Sequence, residues 1–207
     1  MDELITLDLK ALAHKTTGAI HPDVLSRAAA FLLLKDSRAS FSIEGENLVK
    51  SRAERWGRAI SQAGLNLLSI NELFRLQSIV IEDNRFVPLG FRNEGGFIGV
   101  HERSTQEPLP DHISARWQDI PQLIEGLLKA YSILNQDKEI NPIIFAACIA
   151  FGFVFIHPFV DGNGRIHRYL IHHVLAEFNF SPKGIVFPIS AVILERIDEY
   201  RQVLETY

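Results

Sequence analysis

The sequence predicts a mainly α-helical domain that carries one β-hairpin. Three observations lead there. Apolar residues recur at spacings of three and four along most of the chain, the signature of helices with one buried face. That periodicity changes once, between Phe86 and Val100, where short apolar runs flank a glycine-containing turn. The length of 207 residues, with 47% apolar and 22% charged side chains, suits one ordinary hydrophobic core and excludes a disordered chain, a collagen-like repeat and a coiled-coil rod.

The elements follow in order. Met1 to Lys10 alternates acidic and apolar residues with no basic stretch leading into an apolar run, so it does not read as a secretory signal. Leu25, Ala28, Ala29, Leu32 and Leu33 follow the helix-starting Pro22 and predict a helix from Asp23 toward Asp36 or beyond. Ser51 to Ala63 and Asn71 to Glu82 are the next helices, separated by Gly64 and a short loop. Phe91-Arg92 and Phe97 to Val100 then read as two strands around the turn Asn93-Glu94-Gly95-Gly96. Ser104 to Trp117 contains Pro108 and Pro110 and reads as a loop, after which Ile120, Leu123, Ile124, Leu127 and Leu128 restore a helix. Pro142 to Ile156 is an apolar run of 15 residues, short of the roughly 20 that span a bilayer, and is expected to be a central buried helix. Gly164 to Phe178 and Ser190 to Tyr207 complete the set.

With 21 basic against 25 acidic residues the net charge is −4, so no dominant electrostatic footprint for duplex nucleic acid exists and none is expected as a partner. One cysteine, Cys148, excludes an internal disulfide framework and a multi-cysteine zinc site. This fits a reducing compartment, and a cytoplasmic location with no membrane partner is expected. Cys148, among Ala146, Ala147 and Ile149, reads as a buried structural thiol.

The chemistry concentrates in His157 to Arg168, H-P-F-V-D-G-N-G-R-I-H-R. Pro158 biases His157 away from helical geometry, so the preceding helix should end there and present the imidazole at its mouth. Gly162 and Gly164 let the backbone turn around Asn163 and expose consecutive N–H groups as an anion nest, leading into a helix N-terminus that also favours phosphate. Arg165 and Arg168 stand at i and i+3 and share a helix face, so two guanidinium forks and a nest can hold a polyphosphate. Asp161 adds a hard oxygen ligand where magnesium is commonly held by one or two carboxylates plus phosphates. His157 can accept a proton from an incoming hydroxyl. Together they form a set for phosphoryl or nucleotidyl transfer with Mg–nucleotide as ligand. His167, His172 and His173 cluster nearby, but the last two point about 100° apart and metal ligation is disfavoured.

This stretch matches, at nine fixed positions in twelve, the signature H-P-F-x-(D/E)-G-N-G-R-x-x-R, and the chain thereby resembles the Fic family, whose typical members are protein adenylyltransferases. The resemblance covers roughly Asn71 to Tyr207 and implies a Fic-type helical domain with a hairpin flap. It also implies that Mg2+–ATP binds at the loop and that AMP moves onto a hydroxyl of a target protein, the chain itself included. By it His157 is the base, Asp161 holds magnesium, and Asn163 with the Gly162 and Gly164 backbone cradles the phosphates. Arg165 and Arg168 steady the departing phosphates, Phe159 anchors the loop, and the flap aligns a target segment by strand addition. Upstream, Ser40-Phe41-Ser42-Ile43-Glu44-Gly45 resembles the family's inhibitory pattern (S/T)-x-x-x-E-(G/N), which implies that Glu44 pairs with Arg168 and blocks the γ-phosphate. A second frame, Ser42 with Glu46 and Asn47, also fits that pattern.

Residues 1–70 are therefore expected to form a helical segment carrying the inhibitory motif, and residues 71–207 the catalytic core. The loop leaves other functions open: transfer of another nucleotide or phosphate-containing group, de-adenylylation, or an ATP-binding regulatory module held shut. Self-association into a homo-oligomer is also open. Relatives of the inhibitory type often continue into a winged-helix region, and the end at Tyr207 within a predicted helix fits a truncated chain.

Overall fold

A computed structural model of the chain describes residues 8–46, 50–81, 85, 87–137, 139–182 and 184–206. Among these residues lie α1 (Leu9–Gly18), α2 (Pro22–Ile43), α3 (Lys50–Ser61) and α4 (Ile70–Val80), followed by an antiparallel hairpin of β1 (Phe97–His101) and β2 (Pro108–Ile113). A short 3-10 turn then leads into α5 (Ile120–Leu134), α6 (Pro142–Ile156), α7 (Asn163–Glu177), α8 (Ile189–Glu195) and α9 (Ile197–Glu205). The mainly helical architecture with one hairpin is the predicted one.

The helices start and stop for local reasons. Asn141 accepts hydrogen bonds from the N–H groups of Ile143 and Ile144, and Pro142 takes the first helical position, so α6 is nucleated by a side-chain cap and a pre-set φ. Ser69 caps α4 through the N–H of Glu72. The centre of the molecule is the α6–α7 pair. Around it Phe41 of α2, Trp56 of α3, Leu76 of α4, Ile124 of α5, Phe153 of α6 and Ile166 of α7 form one buried cluster. Helix α2 therefore shares a core with the helices that carry the motif, and it also packs along α3 and α8.

Four local expectations are corrected. The hairpin pairs Phe97–His101 with Pro108–Ile113, and Phe91-Arg92 is not a strand. The chain reverses at residues 102–107, closed by the Glu102 N–H on the Glu107 carbonyl at 2.8 Å. That bond makes 102 and 107 a hydrogen-bonded pair, so Pro108 and Pro110 fall at alternate positions whose missing N–H points away from β1. Proline is tolerated there because no ladder bond is lost.

Helix α6 is buried on one face alone: Phe145, Ile149 and Phe153 are covered, whereas Ile143, Ile144 and Phe155 are exposed. Cys148 lies on that open face and is exposed, not buried, because the apolar run gave no period from which to choose a side. The predicted C-terminal helix is two helices, broken at Arg196 where φ is −123° and ψ 41°. Helix α1 was not foreseen; it is wholly without buried residues, and Lys10 and His14 reach the carbonyls of Phe178 and Asn179 just past α7. Glu82, Phe86 and Tyr207, assigned from the sequence, lie outside the described residues.

Candidate active site

Helix α6 ends at His157, which adopts the left-handed conformation (φ 54°, ψ 61°) while its N–H still bonds the Phe153 carbonyl. The following proline disfavours continued right-handed helix, and the chain turns sharply at the histidine. The Arg92 guanidinium donates to the His157 carbonyl at 2.8 Å, and the Arg92 N–H donates to the Pro158 carbonyl at 2.9 Å. Burial lowers the imidazole to about 4, with the charges of Arg92 and His112 acting in the same direction and the Val154 carbonyl and Glu44 against it. His157 is therefore neutral at neutral pH, as a base must be. Its Nδ1 is buried without a well-formed hydrogen bond.

The loop beyond is braced from inside. Phe159 is fully buried, stacked on Phe91, tilted against Phe74 and edge-on to Phe153. Asn163 returns to the same residue: Oδ1 accepts from the Phe159 N–H at 3.0 Å and Nδ2 donates to its carbonyl at 2.8 Å. The asparagine side chain thus shapes the loop, and only its backbone is left to face a ligand. Of the two motif glycines, Gly162 alone has positive φ, at 97°, and forms the N-cap of α7. Gly164 is helical. A Cβ there would strike Glu44 Oε1 and stand 3.0 Å from Glu44 Cδ, so the Glu44 carboxylate occupies the space a larger residue would take.

Glu44 reaches this place through the way α2 ends. Gly45 has φ 73°, its N–H bonds the Ser42 carbonyl, and the Glu46 N–H bonds the Phe41 carbonyl. This is a Schellman cap, which requires glycine or asparagine at the left-handed position. The cap projects two carboxylates onto α7. Glu44 Oε1 lies 2.7 Å from Arg168 Nη2, and Arg168 also donates to the Ser40 side chain at 3.2 Å and to its carbonyl at 2.7 Å. Glu46 pairs with Arg165 and, at 2.7 Å, with Arg52. Arg165 Nη2 in turn bonds Asp161 Oδ1 at 2.6 Å, and the Gly162 N–H bonds the same oxygen at 2.5 Å.

Both motif arginines are about 1% exposed. Phe41 lies beneath the guanidinium groups of Arg52 and Arg165. The structure gathers two buried cations at the start of α7 and rests the Glu44 carboxylate on that N-terminus, close enough to His157 for its charge to act on the imidazole. Such an arrangement is an anion seat beside a proton acceptor. Both frames of the upstream pattern engage it, Glu44 at Arg168 and Glu46 at Arg165. Sequence reading missed Arg92 and Arg52, for which basic residues outside any motif gave no signal.

Among the described residues no group of three or more His, Cys, Asp and Glu side chains could hold a metal unaided. His172 bonds Asp36 at 3.0 Å, and His173 bonds the Tyr131 hydroxyl at 3.2 Å, so both are held in packing networks. Asp161 fits magnesium in a narrower sense. One of its oxygens is engaged, and a single carboxylate together with phosphate oxygens is a usual magnesium environment.

The Fic/DOC family profile matches residues 67–175, just over half of the chain. A protein adenylyltransferase Fic from Nematostella vectensis is 40% identical over 88 residues, which is 41% of this chain and 20% of that protein. A Fido domain-containing protein from Dictyostelium discoideum is 40% identical over 75 residues, 34% of this chain and 50% of that one. The matches thus span half or less of these curated relatives. A Fic domain-containing signaling protein from Bacteroides thetaiotaomicron has the same fold, with a TM-score of 0.70 at 19% identity over 93% of this chain and 79% of that one. A Fic family protein from Desulfovibrio desulfuricans gives 0.63 at 19% identity, covering 97% and 66%. The motif, the fold and the profile agree: the chain belongs to the Fic/DOC family.

Proposed function

We propose that the chain transfers AMP from Mg–ATP to a hydroxyl side chain of a target protein, and that Glu44 holds this activity off. The observation that carries the reading is the Glu44 carboxylate, lying on the first turn of α7 and 2.7 Å from a buried arginine. A seat that accepts one anion from its own chain is chemically suited to a phosphate, and the adenylyltransferase names of the relatives point to ATP.

In the reaction His157 Nε2 takes the proton of the target hydroxyl as its oxygen attacks the α-phosphorus. The bond from that phosphorus to the bridging oxygen breaks, and pyrophosphate leaves. The N-terminal N–H groups of α7 hold the phosphates, and Arg165 and Arg168, once released from their carboxylates, stabilise the departing charge. Asp161 would hold magnesium, which supplies charge neutralisation on the phosphate oxygens.

Closure by Glu44 need not be strong. An ion pair at 4 Å is attracted by about 4 kcal/mol at an effective dielectric of 20, before desolvation and ordering are subtracted. A net preference of about 1.4 kcal/mol for the closed arrangement already lowers the competent population tenfold.

The test uses labelled ATP with the Glu44→Gly protein, alone and combined with His157→Ala. Label from the α-phosphate on protein, lost with His157→Ala, supports AMP transfer. Label from the γ-phosphate would make it a kinase, and no label from either position would favour a regulatory ATP-binding module.

A further inference from the structure

Arg92 lies ahead of the hairpin, outside the motif and outside the inhibitory segment. Its side chain is 6% exposed, and all three guanidinium nitrogens donate to backbone carbonyls: Nε to His157 at 2.8 Å, Nη1 to Glu94 at 2.6 Å, and Nη2 to Ala115. Its own N–H bonds the Pro158 carbonyl at 2.9 Å. Glu94 lies three residues before β1, and Ala115 two residues after β2. The Ser114 N–H closes the same base of the hairpin on the Gly96 carbonyl at 3.1 Å.

We propose that Arg92 is a positioning residue that ties both ends of the hairpin to the catalytic loop and fixes the backbone from which the His157 imidazole is aimed. The functional consequence rests on the AMP-transfer reading, while the tie itself does not. A planar fork of five N–H donors is the side chain suited to gathering three divergent carbonyls. Burying that charge among carbonyls carries a desolvation cost, and burial lowers the affinity of Arg92 for its proton. Three acceptors compensate by fixing one geometry. A histidine in the left-handed region persists only where its surroundings over-determine it, and the bonds from Arg92 to the His157 and Pro158 carbonyls do so on both sides of the turn. A target strand laid on β1 is thereby held in fixed register with the base.

The groups that act on His157 electrostatically are Arg92 and His112, which favour the neutral ring, and Glu44, which favours the charged one. Removing the Arg92 charge therefore raises the pH at which the base becomes protonated, and a lysine there preserves the charge without gathering all three carbonyls.

The experiment compares Arg92→Gln and Arg92→Lys in the Glu44→Gly protein, by hydrogen exchange, single-turnover transfer and Mg–ATP binding. In Arg92→Gln the ladder-bonded amides of β1 and β2, together with that of Ser114, should lose protection while those of α6 and α7 keep theirs. Transfer should slow by about 10²-fold, the cost of a misplacement of roughly 1 Å, with nucleotide affinity held within a few-fold. The acid limb of the pH–rate profile should move upward in Arg92→Gln and return in Arg92→Lys, which should also recover part of the rate. Unchanged hairpin protection in Arg92→Gln overturns the proposal. So does equal loss of protection in α6 and α7 with no recovery in the lysine variant, which would make Arg92 a general stability residue. If the Glu44→Gly parent transfers nothing, the AMP-transfer reading fails, and exchange still decides the tie.

Discussion

His157 shows how the surroundings of one side chain set its protonation. Burial keeps it neutral down to about pH 4, so its protonation should not limit transfer anywhere near neutrality. Transfer measured from pH 5 to 8 should accordingly lack an acid limb near the ordinary histidine value of about 6.5. A fall in rate centred there would contradict the burial argument. His157→Ala should cut transfer by about 10² to 10⁴, the usual worth of general-base catalysis, and leave Mg–ATP binding nearly intact because the proposed phosphate seat lies on α7. Retained activity within a few-fold would remove His157 from the mechanism. The residues gathered around the start of α7 were legible in the sequence because, Glu44 and Glu46 apart, they fall within twelve consecutive positions. What could not be read was how each is spent. Asn163 braces Phe159, Gly164 makes room for Glu44, and Arg165 is shared between Asp161 and Glu46. Each depends on contacts across the fold.

At the level of elements, the end of α2 is the device that aims the two carboxylates. Gly45→Ala keeps both glutamates but places a Cβ at φ 73°, a conformation that costs an L-residue roughly 1–2 kcal/mol. Loosening the cap should therefore activate the protein several-fold without removing a charge, and transfer rates beside helix content by circular dichroism would check it. An unchanged rate would mean that the cap does not set the closed state. The hairpin makes a second case. Its β2 edge lacks N–H groups at Pro108 and Pro110, so β1 offers the edge on which an incoming strand can pair, through the outward N–H groups of Gly99 and His101. His101→Pro should lower modification of a protein target while sparing nucleotide binding, and equal loss of both would point to misfolding. Helices with a clear 3.6-residue period were legible to within a few residues. The hairpin was misplaced because prolines were read as breakers, and at outward-facing edge positions they break nothing. Helix α6 was read as buried all round because a uniformly apolar run carries no information about which face is covered.

For the molecule as a whole, His167 and His173 extend the pH argument to stability. His167 donates to the Ala150 carbonyl at 2.7 Å, while His173 accepts from the Gly64 N–H at 3.2 Å and donates to Tyr131, and burial lowers both to about 4. Their folded values lie below the unfolded value of about 6.5, so the unfolded state binds more protons between these limits. Their contribution to stability is full above about pH 6.5 and is lost as pH falls toward 4, each group adding a slope of about 1.4 kcal/mol per pH unit. Thermal unfolding followed from pH 7 to pH 4.5 should show a falling Tm, and a flat profile would contradict it. The same core that buries these histidines joins α2 to α7, so the fold itself holds Glu44 against Arg168. Glu44→Gly should therefore release the seat directly, whereas Glu46→Gly should do less, because Glu46 lies on Arg165 and Arg52 and not over Gly164. The most direct measurement is intact-mass spectrometry of the wild-type and Glu44→Gly proteins during incubation with Mg–ATP. The account predicts that AMP adducts accumulate at least tenfold faster in the variant; a folded Glu44→Gly protein that gains AMP no faster than the wild type would contradict it.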